Sequence, residues 1–189
     1  MASTADFKNG LYMKFNGDLF TLVNFQHVKP GKGGAFVRTK MKSLTNGKVI
    51  ENTFTAGEKI ELANIERRPH QFLYNNEEGY HFMHEQTYEQ VAIPKELIER
   101  CELLKEGQYV EIVFDADNEA PLTCELPPFV TLEITYTEPG MKGDTASSNS
   151  LKRATVETGA NVMVPLFIEQ GERIKIDTRD CSYSERAKD

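Results

Sequence analysis

Short runs of β-branched and aromatic residues, each stopped by a turn signal, constrain this chain more than any other feature of its 189 residues. Leu11-Tyr12-Met13-Lys14-Phe15 ends at Asn16-Gly17-Asp18, a strong hairpin signal because tight two-residue turns need positive φ. Leu19 to Val28 and Ala35 to Met41 read as strands on either side of Lys29-Pro30-Gly31-Lys32-Gly33-Gly34. Leu44-Thr45-Asn46-Gly47-Lys48 makes another turn, Val49 to Thr55 another strand, and Ala56-Gly57-Glu58-Lys59 breaks it. Many short strands at this spacing predict a small barrel.

The pattern continues downstream. Gln71-Phe72-Leu73-Tyr74 and Tyr80-His81-Phe82-Met83 flank Asn75-Asn76-Glu77-Glu78-Gly79 as a hairpin. Pro94 predicts the opening of a helix, with Leu97, Ile98, Cys101 and Leu104 on one face and Gly107 past its end. Tyr109 to Phe114 resumes as strand. One helix among strands fits an OB-type barrel. Pro127-Pro128 punctuates the chain again, and beyond it Val130, Leu132, Ile134 and Tyr136 alternate with polar residues as one half-buried strand. Strands are expected again from Val162 to Ile168 and from Arg173 to Thr178, about Gly171. These breaks divide the chain into 1–64, 65–128 and 129–189, an all-β series of three small barrels.

Charge follows the same division. The net charge of −7 argues against a generic nucleic-acid binder, but the average hides an asymmetry. Residues 1–64 carry nine Lys/Arg against five Asp/Glu; residues 65–128 carry five against fourteen; residues 129–189 carry eight against ten. Only the first third is basic, so one end of the molecule can face phosphate while the acidic middle is turned from it or meets a protein. Cys101, Cys124 and Cys181 are widely separated and form no CxxC pair, which speaks against a disulfide framework or a thiolate zinc site and for a reducing, cytoplasmic setting. No apolar run approaches the ~18–20 residues a membrane span needs, and the N-terminus lacks the basic start and apolar core of a secretory signal.

Within the basic third, the stretch 29–34 stands out. Proline fixes one φ and three glycines permit conformations closed to other residues, so the segment can reverse tightly. Lys32 is its one long side chain beyond Pro30, at the tip of a hairpin, with Lys29 at the base. Arg38, Lys40 and Lys42 share one face of the outgoing strand by two-residue alternation. Such a basic prong fits a polyanion. A solvated turn carrying one lysine is the plainer alternative.

No catalytic or metal constellation accompanies it. GxSxG, HExxH, Walker and GxGxxG patterns are absent, and His81 and His84 lack a third ligand at metal-binding spacing. Gly31-Lys32-Gly33-Gly34 is no P-loop, since neither Ser/Thr nor a helix follows the lysine. The expectation is a protein without cofactor or metal that is not an enzyme.

Three stretches together resemble the bacterial elongation factor P family: Lys29-Pro30-Gly31-Lys32-Gly33; Pro139 to Ala146, containing Gly143, Asp144 and Thr145; and Lys152-Arg153-Ala154 with Gly159, Val162-Met163-Val164-Pro165, Ile168 and Gly171. The last is the strongest, because a long gapped pattern rarely arises by chance. The resemblance spans essentially the whole chain. It implies an SH3-like, KOW-type first domain followed by two OB-type domains, elongated over roughly 70–80 Å, the scale of a tRNA. It further implies a monomer that binds the 70S ribosome beside peptidyl-tRNA and stimulates peptide bonds between consecutive prolines. Lys32 would then reach toward the CCA end, and the Gly143-Asp144-Thr145 loop would approach ribosomal RNA near the exit site. In many members the tip lysine is lengthened after translation, which would add a lysine-modifying enzyme to the partners; others carry a glycosylated arginine or an unmodified residue. Gly34 departs from the larger residue often found there. The alternatives are a paralogue of the family with another motif preference and a free-standing OB-type binder of single strands. The acidic middle third speaks against the latter.

Overall fold

The computed structural model describes residues 2–138 and 150–187 and consists almost wholly of strands. β1 (Ala2–Ser3), β2 (Tyr12–Phe15), β3 (Asp18–Val28), β4 (Phe36–Ser43), β5 (Val49–Thr55) and β6 (Lys59–Leu62) form a sheet in the order β1-β6-β2-β3-β4-β5. β7 (Ile65–Asn76), β8 (Gly79–His84), β9 (Gln90–Ile93), β10 (Tyr109–Asp115) and β11 (Ala120–Glu125) form a second, ordered β11-β10-β7-β8-β9. β12 (Phe129–Thr137), β13 (Leu151–Val156), β14 (Asn161–Pro165), β15 (Arg173–Asp177) and β16 (Ser182–Arg186) form the third, ordered β14-β13-β12-β15-β16. The chain packs as two compact units. One comprises Met1–Arg68 with Ile93–Leu97 and Ile112–Cys124; the other comprises Pro69–Ala92, Ile98–Glu111 and Glu125–Asp189.

The first sheet curls around Phe7, Met13, Phe20, Leu22, Val37, Met41, Phe54 and Ile60. Phe7 meets Phe25 and Phe54 edge to face, with centroids 6.1 and 5.5 Å apart, and Phe15 meets Phe20 and Phe54 likewise. Its N-terminal turn is tied to the far strand: the Thr4 hydroxyl accepts from Gly57 N at 2.8 Å, and Thr4 N donates to Glu58 O at 3.0 Å. The β2–β3 turn is the two-residue one expected, with Asn16 at φ +50° and Gly17 at φ +79°. In the third sheet the inward side chains of β12, β13, β14 and β15 alternate as period two requires, and β14 and β16 lie together to close the barrel.

Three expectations are corrected. No helix forms after Pro94; two 3-10 turns, Lys95–Leu97 and Cys101–Leu103, take its place. Arg100 between them is left-handed at φ +58°, which stops any helix, and the Leu97 carbonyl is taken at 2.6 Å by the Thr123 hydroxyl. The apolar spacing was that of burial, since Ile98, Cys101 and Leu104 are all buried, but a segment this short does not nucleate a helix on its own. The alternation of β12 runs through Ile134 and then fails: a bulge between Ile134 and Tyr136 turns Tyr136 out, 56% exposed. The strand expected to reach Ile168 ends at Pro165, after which Ile168 N closes a turn on the Pro165 carbonyl at 3.1 Å.

The two histidines weighed as ligands serve as local structure. His81 stacks on Tyr74 with centroids 4.6 Å apart, its Nε2 2.9 Å from Asn76 Oδ1. His84 Nδ1 accepts from the backbone N–H groups of Gln86 and Thr87 and so builds the β8–β9 turn. Cys101, Cys124 and Cys181 form no disulfide. Among the described residues no helix is long and apolar enough to cross a membrane.

Candidate nucleic-acid interface

The hairpin of β3 and β4 carries every described residue of the candidate site. Its strands are among the longest in the first sheet, and its last pair is Val28 with Phe36, so residues 29–35 form the tip. The tip's outgoing end is fixed by Ala56 N, which donates to Ala35 O at 3.0 Å. Lys29, Gly31, Lys32, Gly33 and Gly34 are exposed, while Pro30 is half-buried. Only Gly33 of the three glycines adopts positive φ, at +114°, with Pro30 Cγ 3.8 Å from where its Cβ would stand. Gly31 and Gly34 are small in open space, without that conformational demand. Among the described residues, no ion pair or hydrogen bond occupies the Lys32 ammonium.

One strand separates fold from charge. On β4, Val37, Thr39 and Met41 point into the barrel and are buried, with Thr39 Oγ1 donating to Asn52 O at 2.9 Å. Arg38, Lys40 and Lys42 alternate with them on the outer face; the first two are exposed and the third is half-buried. The sheet register supplies their neighbours. Arg38 lies between Gln26 and Thr53, Lys40 between Asn24 and Glu51, and Lys42 between Thr21 and Val49. The Arg38 guanidinium sits 5.6 Å from the centre of the Phe36 ring, a cation–π contact that holds it toward the tip end of the strand. Asn24, Gln26, Arg38, Lys40, Glu51 and Thr53 line a shallow open depression of about 480 Å³ on this face. Amide, hydroxyl and cationic groups thus stand side by side with one carboxylate, Glu51, a mixed set able to meet phosphate at its cations and ribose or base edges at its amides.

The structure therefore brings Lys29, Lys32, Arg38, Lys40 and Lys42 onto one hairpin. Gly143, Asp144 and Thr145 lie outside the described residues. Asn24, Gln26 and Thr53 were missed in the sequence. Counting back evenly from the tip would have paired Gln26 with Arg38 and Asn24 with Lys40.

Comparison with known proteins bears on the whole chain. Residues 3–60 match the family model of the elongation factor P (EF-P) KOW-like domain. Residues 65–123 match the elongation factor P OB domain, and residues 130–186 match elongation factor P, C-terminal. Elongation factor P of Amoebophilus asiaticus is 58% identical over 188 residues, covering 100% of this chain and 98% of that protein. Elongation factor P 1 of Porphyromonas gingivalis is 55% identical over 189 residues, with both chains covered entirely. Among solved structures, eukaryotic translation initiation factor 5A from Methanococcus jannaschii aligns at 26% identity and a TM-score of 0.48, over 67% of this chain and 90% of that one. With all three domain models met in order and full-length identities above one half, the chain belongs to the bacterial elongation factor P family and is a translation elongation factor with a KOW-like domain followed by OB domains.

Proposed function

We propose that this factor binds the 70S ribosome beside peptidyl-tRNA and speeds peptide-bond formation between consecutive prolines, with Lys32 positioning the CCA end. The observation that carries the reading is the exposed Lys32 ammonium, unpaired among the described residues, on a tip whose outgoing end is held by the Ala56 N to Ala35 O hydrogen bond. Proline's ring fixes φ and restricts its neighbour, so consecutive prolines hold the ester and the incoming amine out of attack geometry. A compact cation with three donors on a rigid arm can restrain the CCA backbone and lower the entropic cost of alignment. The ribosome remains the catalyst. Arg38, Lys40 and Lys42 contact RNA phosphates along the way, and the loop bearing Gly143, Asp144 and Thr145 meets ribosomal RNA near the exit site. The working segments are 1–64, 65–128 and 129–189; the three sheets and the three matched ranges support this division. The factor acts as a monomer in the cytoplasm, and Lys32 is the substrate position for a lysine-modifying enzyme where the host has one.

The test is synthesis of a reporter with three consecutive prolines against a proline-free control. Lys32→Ala is expected to keep the fold, since an exposed tip residue has little packing to lose, and to slow the proline reporter alone. Lys32→Arg should restore activity in part at most, its planar guanidinium differing in shape and unable to accept a lysine-specific modification. Equal support of both reporters by Lys32→Ala overturns the reading.

A further inference from the structure

The hairpin is gripped at the end opposite its tip. Tyr12, Leu44, Val113 and Leu122 form a buried cluster, with Leu19, Ala63 and Ile65 half-buried around it. Leu19 and Leu44 belong to the base of the hairpin: Leu19 is the second residue of β3, Leu44 follows the end of β4, and Leu44 N donates to Leu19 O at 2.9 Å. Val113 and Leu122 belong to β10 and β11, strands outside the first sheet, and Val113 is wholly buried. Polar contacts surround this apolar centre. Lys14 Nζ lies 3.1 Å from Asp117 Oδ2, Asn64 Nδ2 donates to Asp117 Oδ1 at 3.0 Å, and Ala116 N donates to Asn64 O at 2.9 Å. A Cβ on Gly47 would stand 3.1 Å from Glu96 O, so the β4–β5 turn is pressed against the segment after Pro94.

This arrangement is a lever. Nine residues separate Leu19 from Val28, so at ~3.3 Å per residue the arm from joint to tip is about 30 Å. A displacement of 1 Å at the reacting atoms can cost on the order of a hundredfold in rate. Over an arm of about 30 Å, 1 Å at the tip is a rotation of about 2° at the base. Packed apolar cores resist such rotations because they are close-packed rather than fluid. We propose that Tyr12, Leu44, Val113 and Leu122 are positioning residues: a joint that aims Lys32 without touching RNA, resting on the function proposed above for the tip.

The experiment uses the full chain. Val113→Ala opens a cavity in the joint without altering any candidate RNA-facing side chain, while Leu122→Met keeps its volume. Spin labels at Gly34→Cys on the tip and Pro121→Cys before Leu122, in a Cys181→Ser background, report the tip-to-joint distance distribution. Val113→Ala is expected to broaden that distribution and to lower the saturating rate on the triple-proline reporter at least threefold, with ribosome affinity unchanged within twofold. Leu122→Met should leave both readouts within twofold of the parent. If Val113→Ala does not fold at the assay temperature, Asp117→Ala, which loosens the rim without a cavity, takes its place. A folded variant that broadens the distribution at full rate, or slows the reaction with an unchanged distribution, overturns the joint as a positioning device. Indifference of the reporter to Lys32→Ala instead overturns the function proposed for the tip, and the distance measurement separates the two failures.

Discussion

Leu103→Ala should strongly destabilise the third barrel although Leu103 lies outside its strands. The residue ends the second 3-10 turn, is fully buried, and packs with Val130, Leu132, Ile134, Val162, Ile174 and their neighbours of the third sheet. Two polar clasps hold the peg in place. Thr158 Oγ1 donates to Glu102 O at 2.7 Å, and the Lys105 ammonium lies 2.9 Å from Glu157 Oε2, while Glu157 Oε1 accepts from Glu133 N at 3.0 Å. A buried Leu→Ala change costs about 2–5 kcal/mol, the spread set by how far the site collapses into the void. Here the wall is a hydrogen-bonded ladder in register, Leu132 opposite Ile174 and Val130 opposite Ile176, which yields little. The upper half of the range, about 3–5 kcal/mol, is therefore expected. A domain of the size matched at 130–186 has a stability of only about 3–9 kcal/mol. At ~4–8 °C per kcal/mol, its midpoint should fall by roughly 12–40 °C. Thermal scans combined with amide hydrogen exchange would read this directly: protection of β12, β13 and β15 should drop while β3, β4 and β5 keep theirs. Leu103→Met, which conserves volume, should cost less than about 1.5 kcal/mol. A Leu103→Ala protein melting within ~2 °C of the parent would refute the peg, because that shift is under about 0.5 kcal/mol.

Gly47→Ala should destabilise more than Gly17→Ala. Both glycines have positive φ, but an added Cβ at Gly47 presses on Glu96 backbone whereas one at Gly17 meets open space, so unfolding free energies from urea titration should differ by about 1 kcal/mol or more. Acid should weaken the first barrel through Asp18: burial pushes its carboxyl up, but hydrogen bonds from Thr45 Oγ1, Ser43 Oγ and Leu19 N pull it below the ordinary range. A folded-state value depressed in this way adds stability that is present above the unfolded value of about 3.9 and lost as pH falls through the folded one. Urea midpoints should accordingly decline below about pH 4, and Asp18→Asn should flatten that part of the profile. Replacing Arg38, Lys40 and Lys42 together by Ala should lower the salt slope of ribosome association by about one for each phosphate left without its cation; an unchanged slope would show that this face does not meet RNA.

Local chemistry was legible where one residue type had one use. Asn16-Gly17 forms the expected turn, and the alternation of β4 places its cations outward because Val37 and Met41 can only face the core. The same logic failed where long-range packing decided. The helical face expected after Pro94 named Leu97, Ile98, Cys101 and Leu104 and passed over Leu103, the residue most completely buried there. Leu103 is a peg into a core formed by residues beyond 129, and no periodicity within its own segment reports that. The bulge between Leu22 and Asn24 shifts the hairpin register by one, so Lys42 meets Thr21, a pairing that counting from the tip does not give. β16, Ser182–Arg186, is too polar to read as strand, and only its pairing with β15 makes it one. The joint of Tyr12, Leu44, Val113 and Leu122 was equally hidden, since its two halves are far apart in the chain, Tyr12 and Leu44 in the first third and Val113 and Leu122 in the second.

The alternation of β4 also bears on function. Every candidate RNA-facing side chain on β4 alternates with one buried in the barrel, so selection on RNA binding and selection on stability act on different residues of the same strand. The outer face can change charge while the core keeps its geometry, and the core can change stability while the face keeps its chemistry. What ties the two together is aim. The tip has little packing of its own beyond the half-buried Pro30 and Ala35, and among the described residues its one paired backbone group is that of Ala35. Its accuracy is therefore inherited down the hairpin from the cluster at its base, where small defects of packing become ångström errors at the lysine. On this reasoning, variants that lose proline-run activity while still binding RNA should gather at two places: Lys32 itself and the apolar joint that points it.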